Sequence, residues 1–414
     1  MFRKQKQAFR AYCETHAGAY RIFNGWLHRY TNRALRDARR ARGIDCNAVV
    51  FSSYNMASFN DNPYYISLAL HKMRPQTDIV WIFKDVAAAR KRFDIPNWVR
   101  CVGWNTLEGV EAFGRARVLV DNWQKYDFLR LGRRQVYLYS AHHDRTFKDG
   151  GLARDDRLYN RMVETHATVA TVGSRFGREA MRRYYHYRGP CLKDGLPRND
   201  LLVRDDPADE ARIRAKLGID ASTGILLYAP TFRDAATRGG QRQRVGLDLS
   251  RVLDALEQTD GRPWVCLHRA HYQSLGLGLA NKAPDPRLRD ATAWPEMAEL
   301  LRVADALISD YSCCAGDYAL RGKPIYLYVD DIDEYAAHSR DLWVNPLDTP
   351  YWCARTPDEL DALIRRTTPR SAAENCRAVL DYYGTHETGH AAESAARYIC
   401  NALDGKPGLP GETV

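Results

Sequence analysis

Short apolar runs separated by helix-patterned stretches recur along most of the chain. "CNAVVFSS", "DIVWIFK", "VRCVGW", "RVLVDN" and "QVYLYSAHH" lack the strict alternation of a sheet with one wet face, so they predict strands covered on both sides. Between and after them, "ISLALHKM", "VEAFGRA" and "SRFGREAMRRYYH" read as helices. A second series of strands, "GILLYAPTF", "PWVCLH", "ALISDYS" and "PIYLYV", is separated by "DLSRVLDALEQ", "WPEMAELLRVA" and "DYALRG" and closed by a helix near "PDELDALIRR". Strands alternating with helices predict parallel sheets flanked on both faces. The expected fold class is therefore α/β, with two Rossmann-like domains, 44–195 and 196–385, facing an interdomain cleft and joined near "DGLPRNDLLV". A basic helical arm (1–43) precedes them, a closing helix (386–405) can dock on either, and the tail is expected to be loose.

Ligands of open α/β sheets bind beyond the carboxyl ends of the strands, so polar residues there are the candidates for chemistry. In "YAPTFRD", Pro230 ends sheet pairing and Thr231, Arg233 and Asp234 follow at once. In "YLYSAHHDRTFKDGG", His142 or His143 beside Asp144 either suits proton abstraction from a hydroxyl near neutral pH or is one of two incidental histidines on a surface loop. In "GLPRND", Gly195 and Pro197 fix a turn and Arg198 either binds phosphate or forms a salt bridge that holds the hinge. In "PWVCLHRAHYQ", His268, Arg269 and His271 suit the anion of a diphosphate or pack in the core. In "ISDYSCCAGDYA", the strand ends at Asp310, Ser312 precedes a helix expected from near Gly316, and Asp317 either bonds ribose or glycerol hydroxyls or stabilises the helix dipole.

Charge is concentrated at one end. The chain has 61 Lys or Arg and 51 Asp or Glu, and residues 1–42 hold eleven of the former against Glu14 and Asp37. The body is thus nearly neutral, and the basic character belongs to the arm. There Trp26, Leu27 and Tyr30 recur at helical spacing beside Arg29, Arg33, Arg36 and Arg40, a pattern suited to an anionic membrane surface. A helix packed on the protein's own core and a nucleic-acid-binding arm are the competing readings. No stretch has the length of an apolar membrane span and no signal peptide is recognisable, so a cytoplasmic, peripheral protein is expected. The ten cysteines show no C-x-x-C and no zinc spacing, and neither G-x-G-x-x-G nor a P-loop is present, which argues against a metal site, an oxidoreductase and an NTPase.

Taken in order, "YAPTFRD", "GLPRND", "RAH" in place of R-x-H-P, and "ALISDYSCCAGDYA…GKPIYLYVDDIDEY" resemble the CDP-glycerol glycerophosphotransferases that prime and polymerise teichoic acids. "FNDNPYYIS" and "ARVLVDN" are similar to that family's opening region, and the resemblance covers roughly residues 48 to 335. It implies a GT-B-like catalytic unit that needs no metal or cofactor. An acceptor hydroxyl would attack the phosphorus bearing glycerol in CDP-glycerol or a related CDP-alditol, and CMP would leave. By the same resemblance His142 aligns with the histidine of a W-H-G-T-x-x-K-x-x-G segment and is the candidate base. His271 and Arg269 would meet charge on the donor phosphates, Thr231, Arg233 and Ser312 would face the donor, and Asp317 would lie near a polyol or sugar hydroxyl.

The chain departs from that pattern at Ala141, His143, Asp144 and Arg145, which leaves the choice between His142 and His143 open, and at Thr388 and Ser394 near its end. The implied acceptor is a lipid-linked glycan or a polymer at the inner face of the plasma membrane, which gives the arm a purpose; no nucleic-acid partner is expected. A nucleotide-sugar glycosyltransferase of the same fold and a non-catalytic binder of anionic membrane are the alternatives.

Overall fold

A computed structural model describes residues 17–123, 130–142, 144–148, 167–204, 206–231, 247–270, 285–338 and 342–406, with side chains from residue 29 onward. Seven strands build a first sheet: β1 (Asp45–Phe51), β2 (Asp78–Phe83), β3 (Val99–Gly103), β4 (Ala116–Asp121), β5 (Val136–Ser140), β6 (Val169–Thr171) and β7 (Cys191–Leu192). Their order is β3-β2-β1-β4-β5-β6-β7 and every pairing is parallel. A second sheet holds β8 (Gly224–Ala229), β9 (Trp264–His268), β10 (Leu288–Asp290), β11 (Ala306–Ser309), β12 (Ile325–Tyr328) and β13 (Trp352–Ala354). It is also parallel, in the order β10-β9-β8-β11-β12-β13. Each sheet therefore reverses its winding once, between β1 and β4 and between β8 and β11, which is where such sheets open a binding crevice.

The continuous apolar runs are explained by burial on two faces. In β1, Val49 and Phe51 enter one core with Trp81 and Leu138, while Val50 enters the opposite core with Val80, Leu119 and Tyr139. In β8, Ile225 and Leu227 face one core and Leu226 and Tyr228 the other. Successive side chains point to opposite faces of a strand, so a strand buried on both needs an unbroken apolar run. Local signals set the helix starts. Thr106, Ser174 and Thr356 accept N–H bonds at the heads of the helices Leu107–Arg115, Arg175–Tyr184 and Pro357–Arg366, the last with a full capping box.

Two segments tie the ends of the chain to the first sheet. The helix Ala17–Arg42 runs almost into β1, and Leu35 is buried in the first domain's core beside Phe113. A side chain at Gly114 would meet the Leu35 carbonyl oxygen at 2.9 Å and the Ala38 Cβ at 3.0 Å, so glycine is what lets the two helices approach. Arg39 donates to the Gln135 side chain at 3.0 Å. The last turns of the arm are thus core structure, whereas Arg29, Arg33, Arg36 and Arg40 all face solvent and Tyr30 is 64% exposed. Residues 1–16 and the side chains of Trp26 and Leu27 lie outside the described residues.

The closing helix, Ala391–Leu403, docks on the first domain: Ala395, Ala396, Ile399 and Leu403 share a core with Val49, Ile66 and Leu138. The chain thereby crosses between the domains twice. No described helix is long and apolar enough to cross a membrane.

Candidate functional site

The first domain's half of the site grows from the reversal point between β1 and β4. The chain leaves β1 through Ser52 and Ser53 and then places Tyr54, Asn55 and Met56 at φ of 43°, 58° and 63°, with Asp61 at 62°. Left-handed conformations of residues other than glycine cost on the order of 1 kcal/mol each and persist where surrounding contacts impose them. Those contacts are present: the Tyr54 N–H donates to Asn122 Oδ1 at 2.9 Å, Asn122 Nδ2 to Ser53 Oγ at 3.2 Å, and the Tyr54 hydroxyl to Asp61 Oδ2.

His142 follows β5 directly. Its ring stacks on Trp123 with centroids 5.0 Å apart and 14° between planes, and Tyr54 meets it edge-on at 5.3 Å. Nδ1 lies 2.7 Å from the Asn122 carbonyl oxygen. A carbonyl accepts only from a protonated nitrogen, so this contact assigns the hydrogen to Nδ1 and the lone pair to Nε2. Burial brings the imidazole down to about 4, against the opposing pull of Asp61 and the Asn122 carbonyl. At neutral pH the ring is therefore the uncharged form that a base requires.

On the second domain, Asp310 at the end of β11 is buried and its Oδ1 accepts the N–H groups of Thr231 at 2.8 Å and Tyr311 at 2.6 Å. Thr231, leaving β8, is buried as well, so this pair joins the two strands at the second reversal point. Ser312 Oγ accepts the Cys314 N–H at 3.4 Å. The helix expected from near Gly316 begins at Cys314 and runs only to Tyr318. Arg269 is half-buried after β9 and donates to the Thr292 carbonyl. Burial lowers its pKa, with Glu296 and Tyr54 acting in opposition. Arg233, His143 and His271 lie outside the described residues.

Between the two halves sits a buried ionic cluster. Arg145, with 0% exposure, donates to Asp317 Oδ1 at 2.7 Å and Glu387 Oε1 at 2.9 Å and lies 3.5 Å from Asp144. Arg198 Nε and Nη2 donate to Asp317 Oδ2 at 3.1 and 2.9 Å, Nη1 to Asp61 Oδ1 at 3.2 Å, and Nη2 also to the His142 carbonyl at 3.1 Å. Asn199 bridges Asp317 at 3.1 Å and Glu387 at 2.7 Å. Of the two roles the sequence leaves to Arg198, this geometry supplies the salt bridge at the domain junction. Asp317, expected near a polyol hydroxyl or as a helix-dipole partner, lies in the first turn of the short helix Cys314–Tyr318 and has both oxygens engaged by guanidinium and amide donors. Despite the cost of burial, Arg198 and Arg145 hold its carboxyl below the usual range.

Two glycines make the cluster possible. At Gly195, φ is 109° and a Cβ would fall 2.0 Å from Glu387 Oε2; at Gly316 it would fall 2.5 Å from the Arg145 Cβ. The structure thus gathers His142, Arg198 and Asp317 around one junction, and Cys313 Sγ reaches the His142 carbonyl at 3.8 Å from the second domain. Sequence reasoning gave no role to Asp61, Tyr54, Asn122, Arg145 or Glu387. Asp61 lies inside "FNDNPYYIS" and Arg145 at a departure from the family pattern, so both stood in segments already singled out.

A separate crevice of about 690 Å³ opens between the helix Asp61–Met73 and the helices Pro207–Leu217 and Met297–Val303, lined by Tyr64, Tyr65 and Glu296 but not by His142. It flanks the junction.

Residues 35–401 match the family described as CDP-Glycerol:Poly(glycerophosphate) glycerophosphotransferase. A teichoic acid poly(glycerol phosphate) polymerase of Staphylococcus epidermidis is 27% identical over 346 residues, 76% of this chain and 45% of that protein, so the chain spans less than half of that relative's length. A polymerase of the same description from Bacillus spizizenii is 26% identical over 85% of this chain and 91% of its own. A structure of the wall teichoic acid polymerase TagF, soaked with CDPG, is similar with a TM-score of 0.77, 22% identity, and coverage of 93% of this chain and 97% of that one. That likeness establishes the shared fold.

Proposed function

We propose that this chain, which belongs to the CDP-Glycerol:Poly(glycerophosphate) glycerophosphotransferase family, moves an alditol phosphate from a CDP-alditol to an acceptor hydroxyl. Glycerol phosphate is the favoured group, the acceptor is a lipid-linked glycan or a growing polymer of the teichoic acid or capsule kind, and CMP is the leaving product. The observation that carries this reading is the tautomer of His142: Nδ1 is tied to Asn122, so Nε2 holds the lone pair at the junction of the two domains.

In the proposed reaction the acceptor O–H proton passes to Nε2 as its oxygen bonds the phosphorus bearing glycerol, and the bond from that phosphorus to the CMP oxygen breaks. Developing charge on the phosphates would be met by Arg269, His271 and Arg233, with Thr231 and Ser312 supplying hydroxyls on the same side of a GT-B-like cleft. Arg198, Asp310 and Asp317 support that arrangement from beneath. The transfer as read here uses no resident metal or cofactor. Incubating the protein with acceptor glycan and CDP-glycerol, CDP-ribitol or a panel of sugar nucleotides tests it: CMP release dependent on acceptor is expected, whereas UDP or GDP release from a sugar nucleotide would move the chain to the glycosyltransferases.

The acceptor's place gives the arm its role, as a peripheral contact with the inner face of the plasma membrane. Arg29, Arg33, Arg36 and Arg40 all face solvent, and each cation near an anionic bilayer is worth about 1 kcal/mol. Replacing all four by Gln is expected to lower partitioning onto phosphatidylglycerol vesicles on the order of 10²- to 10³-fold, measured by co-sedimentation. Deleting the arm is the wrong test, because it also removes Leu35 from the core. Unchanged sedimentation of the Gln variant would rule the membrane role out.

A further inference from the structure

We propose that Asp61 is a positioning residue that holds His142 in its base-competent geometry, acting on the ring through Tyr54 and on the backbone through Arg198. The inference deepens the reading of His142 as the base of a phosphotransfer and rests on it.

Two paths lead from the Asp61 carboxylate to His142. On one, Oδ2 accepts the Tyr54 hydroxyl. Because the Tyr54 N–H is held by Asn122 Oδ1 at 2.9 Å, the tyrosine is fixed at both its backbone and its phenolic end. Its ring lies edge-on against the imidazole at 5.3 Å and 5.8 Å from the Trp123 ring that stacks on it, and Asn122 also supplies the carbonyl that fixes Nδ1. On the other path, Oδ1 accepts Arg198 Nη1 at 3.2 Å, and Nη2 of the same guanidinium donates to the His142 carbonyl at 3.1 Å. One carboxylate therefore braces the residue at its side chain and at its main chain.

The carboxylate is itself held in place from the second domain. Asp61 sits at φ 62° and is buried. Its N–H donates to Glu296 Oε2 at 2.8 Å, and the preceding Asn60 donates to the Pro295 carbonyl at 2.8 Å. An aspartate that only balanced the charge of Arg198 would need neither the left-handed turn nor the bond to Tyr54. Asparagine keeps the shape but loses the charge that Arg198 pairs with, and with its oxygen on Arg198 it meets the Tyr54 hydroxyl only as a donor, which reverses that bond.

The test compares wild type with Asp61→Asn, alone and in a His142→Ala background, and adds Tyr54→Phe, which cuts one path while leaving every charge in place. Asp61→Asn is expected to lower kcat on the order of 10²-fold, the scale of a misplaced reacting group, with the KM for CDP-glycerol changed by less than about threefold. Groups that act as a unit are non-additive, so the same substitution is expected to cost nothing further once His142 is alanine. Tyr54→Phe is expected to lose roughly tenfold in kcat by the first path alone. Nitrogen spectra of 15N-histidine-labelled protein give a readout independent of turnover: His142 is expected to show one protonated Nδ1 and one unprotonated Nε2 in wild type and a tautomer mixture in Asp61→Asn. Full additivity with His142→Ala, a rise in donor KM at constant kcat, or an unchanged His142 nitrogen signature would each overturn the proposal. If wild type releases no CMP from CDP-glycerol, CDP-ribitol or any other CDP-alditol, the phosphotransfer reading fails, while the nitrogen spectra still decide whether Asp61 holds the ring.

Discussion

His142→Ala is expected to lower kcat for acceptor-dependent CMP release by about 10²- to 10⁴-fold, the range over which a positioned general base contributes. The fold should survive, because Arg198 addresses the main-chain carbonyl that alanine retains, and the ring's contacts include no buried ion pair among the described residues. The pH profile carries a second signature. With the imidazole brought down to about 4 chiefly by burial, protonation removes the base only as pH falls through that value. The acid limb of kcat/KM is therefore expected well below the pH of 6.5 typical of an exposed histidine. Rates measured by CMP release between pH 4 and 8, with circular dichroism as the fold control, check both. Transfer by the alanine variant within about twofold of wild type would remove His142 from the base's role.

Arg145→Met is expected to destabilise the protein by about 3–5 kcal/mol, the cost of leaving buried charge without its partner. The guanidinium is fully buried among Asp144, Asp317 and Glu387, and a methionine fills the space without answering their charge. Asp317 keeps Arg198; Glu387 keeps only neutral donors, from Asn199 and the Leu196 N–H. The pH dependence has a defined sign. Burial already pushes the Glu387 carboxyl up to about 7 despite Arg145, so the native state binds a proton that the unfolded chain, near 4.5, releases. Stability from this group falls as pH rises between those values. Without Arg145 the native value moves higher still, and the deficit should be larger at pH 8 than at pH 6. Chemical denaturation at both values measures it, and a midpoint equal to that of wild type would show that the cluster carries no stability.

The strands that run through the middle of each sheet are plain in the sequence because two-sided burial demands unbroken apolar runs, as in β1, β2, β8 and β11. Three of the four edge strands, β7, β10 and β13, have only two or three residues, too few for any periodicity. His142, Thr231, Arg269, Asp310 and Ser312 could be picked out because strand ends in such sheets are where polar groups emerge. Their partners could not. Arg145 and Glu387 are 242 residues apart and Asp61 and Arg198 137 apart, and nothing local in "FNDNPYYIS" or "THETGH" marks a carboxylate as buried. Arg198 shows the limit most clearly: one "GLPRND" suits phosphate binding and a hinge salt bridge equally, and only the facing acids, distant in sequence, reveal that the salt bridge forms.

The double crossing of the chain between the domains limits how the halves can move. One passage runs through Leu196 to Arg204 and the other through Glu387 to His390, and they are laced together where Asp200 accepts the N–H groups of Ala391 and Ala392 at 2.9 and 2.8 Å. Two tethers set side by side make a joint, because sliding or twisting the halves past each other would strain both passages at once. Asn199 and Glu387, bonded to each other at 2.7 Å, lie one on each passage. The buried ionic cluster is thus built on the joint itself, where any rotation of one half against the other displaces groups least.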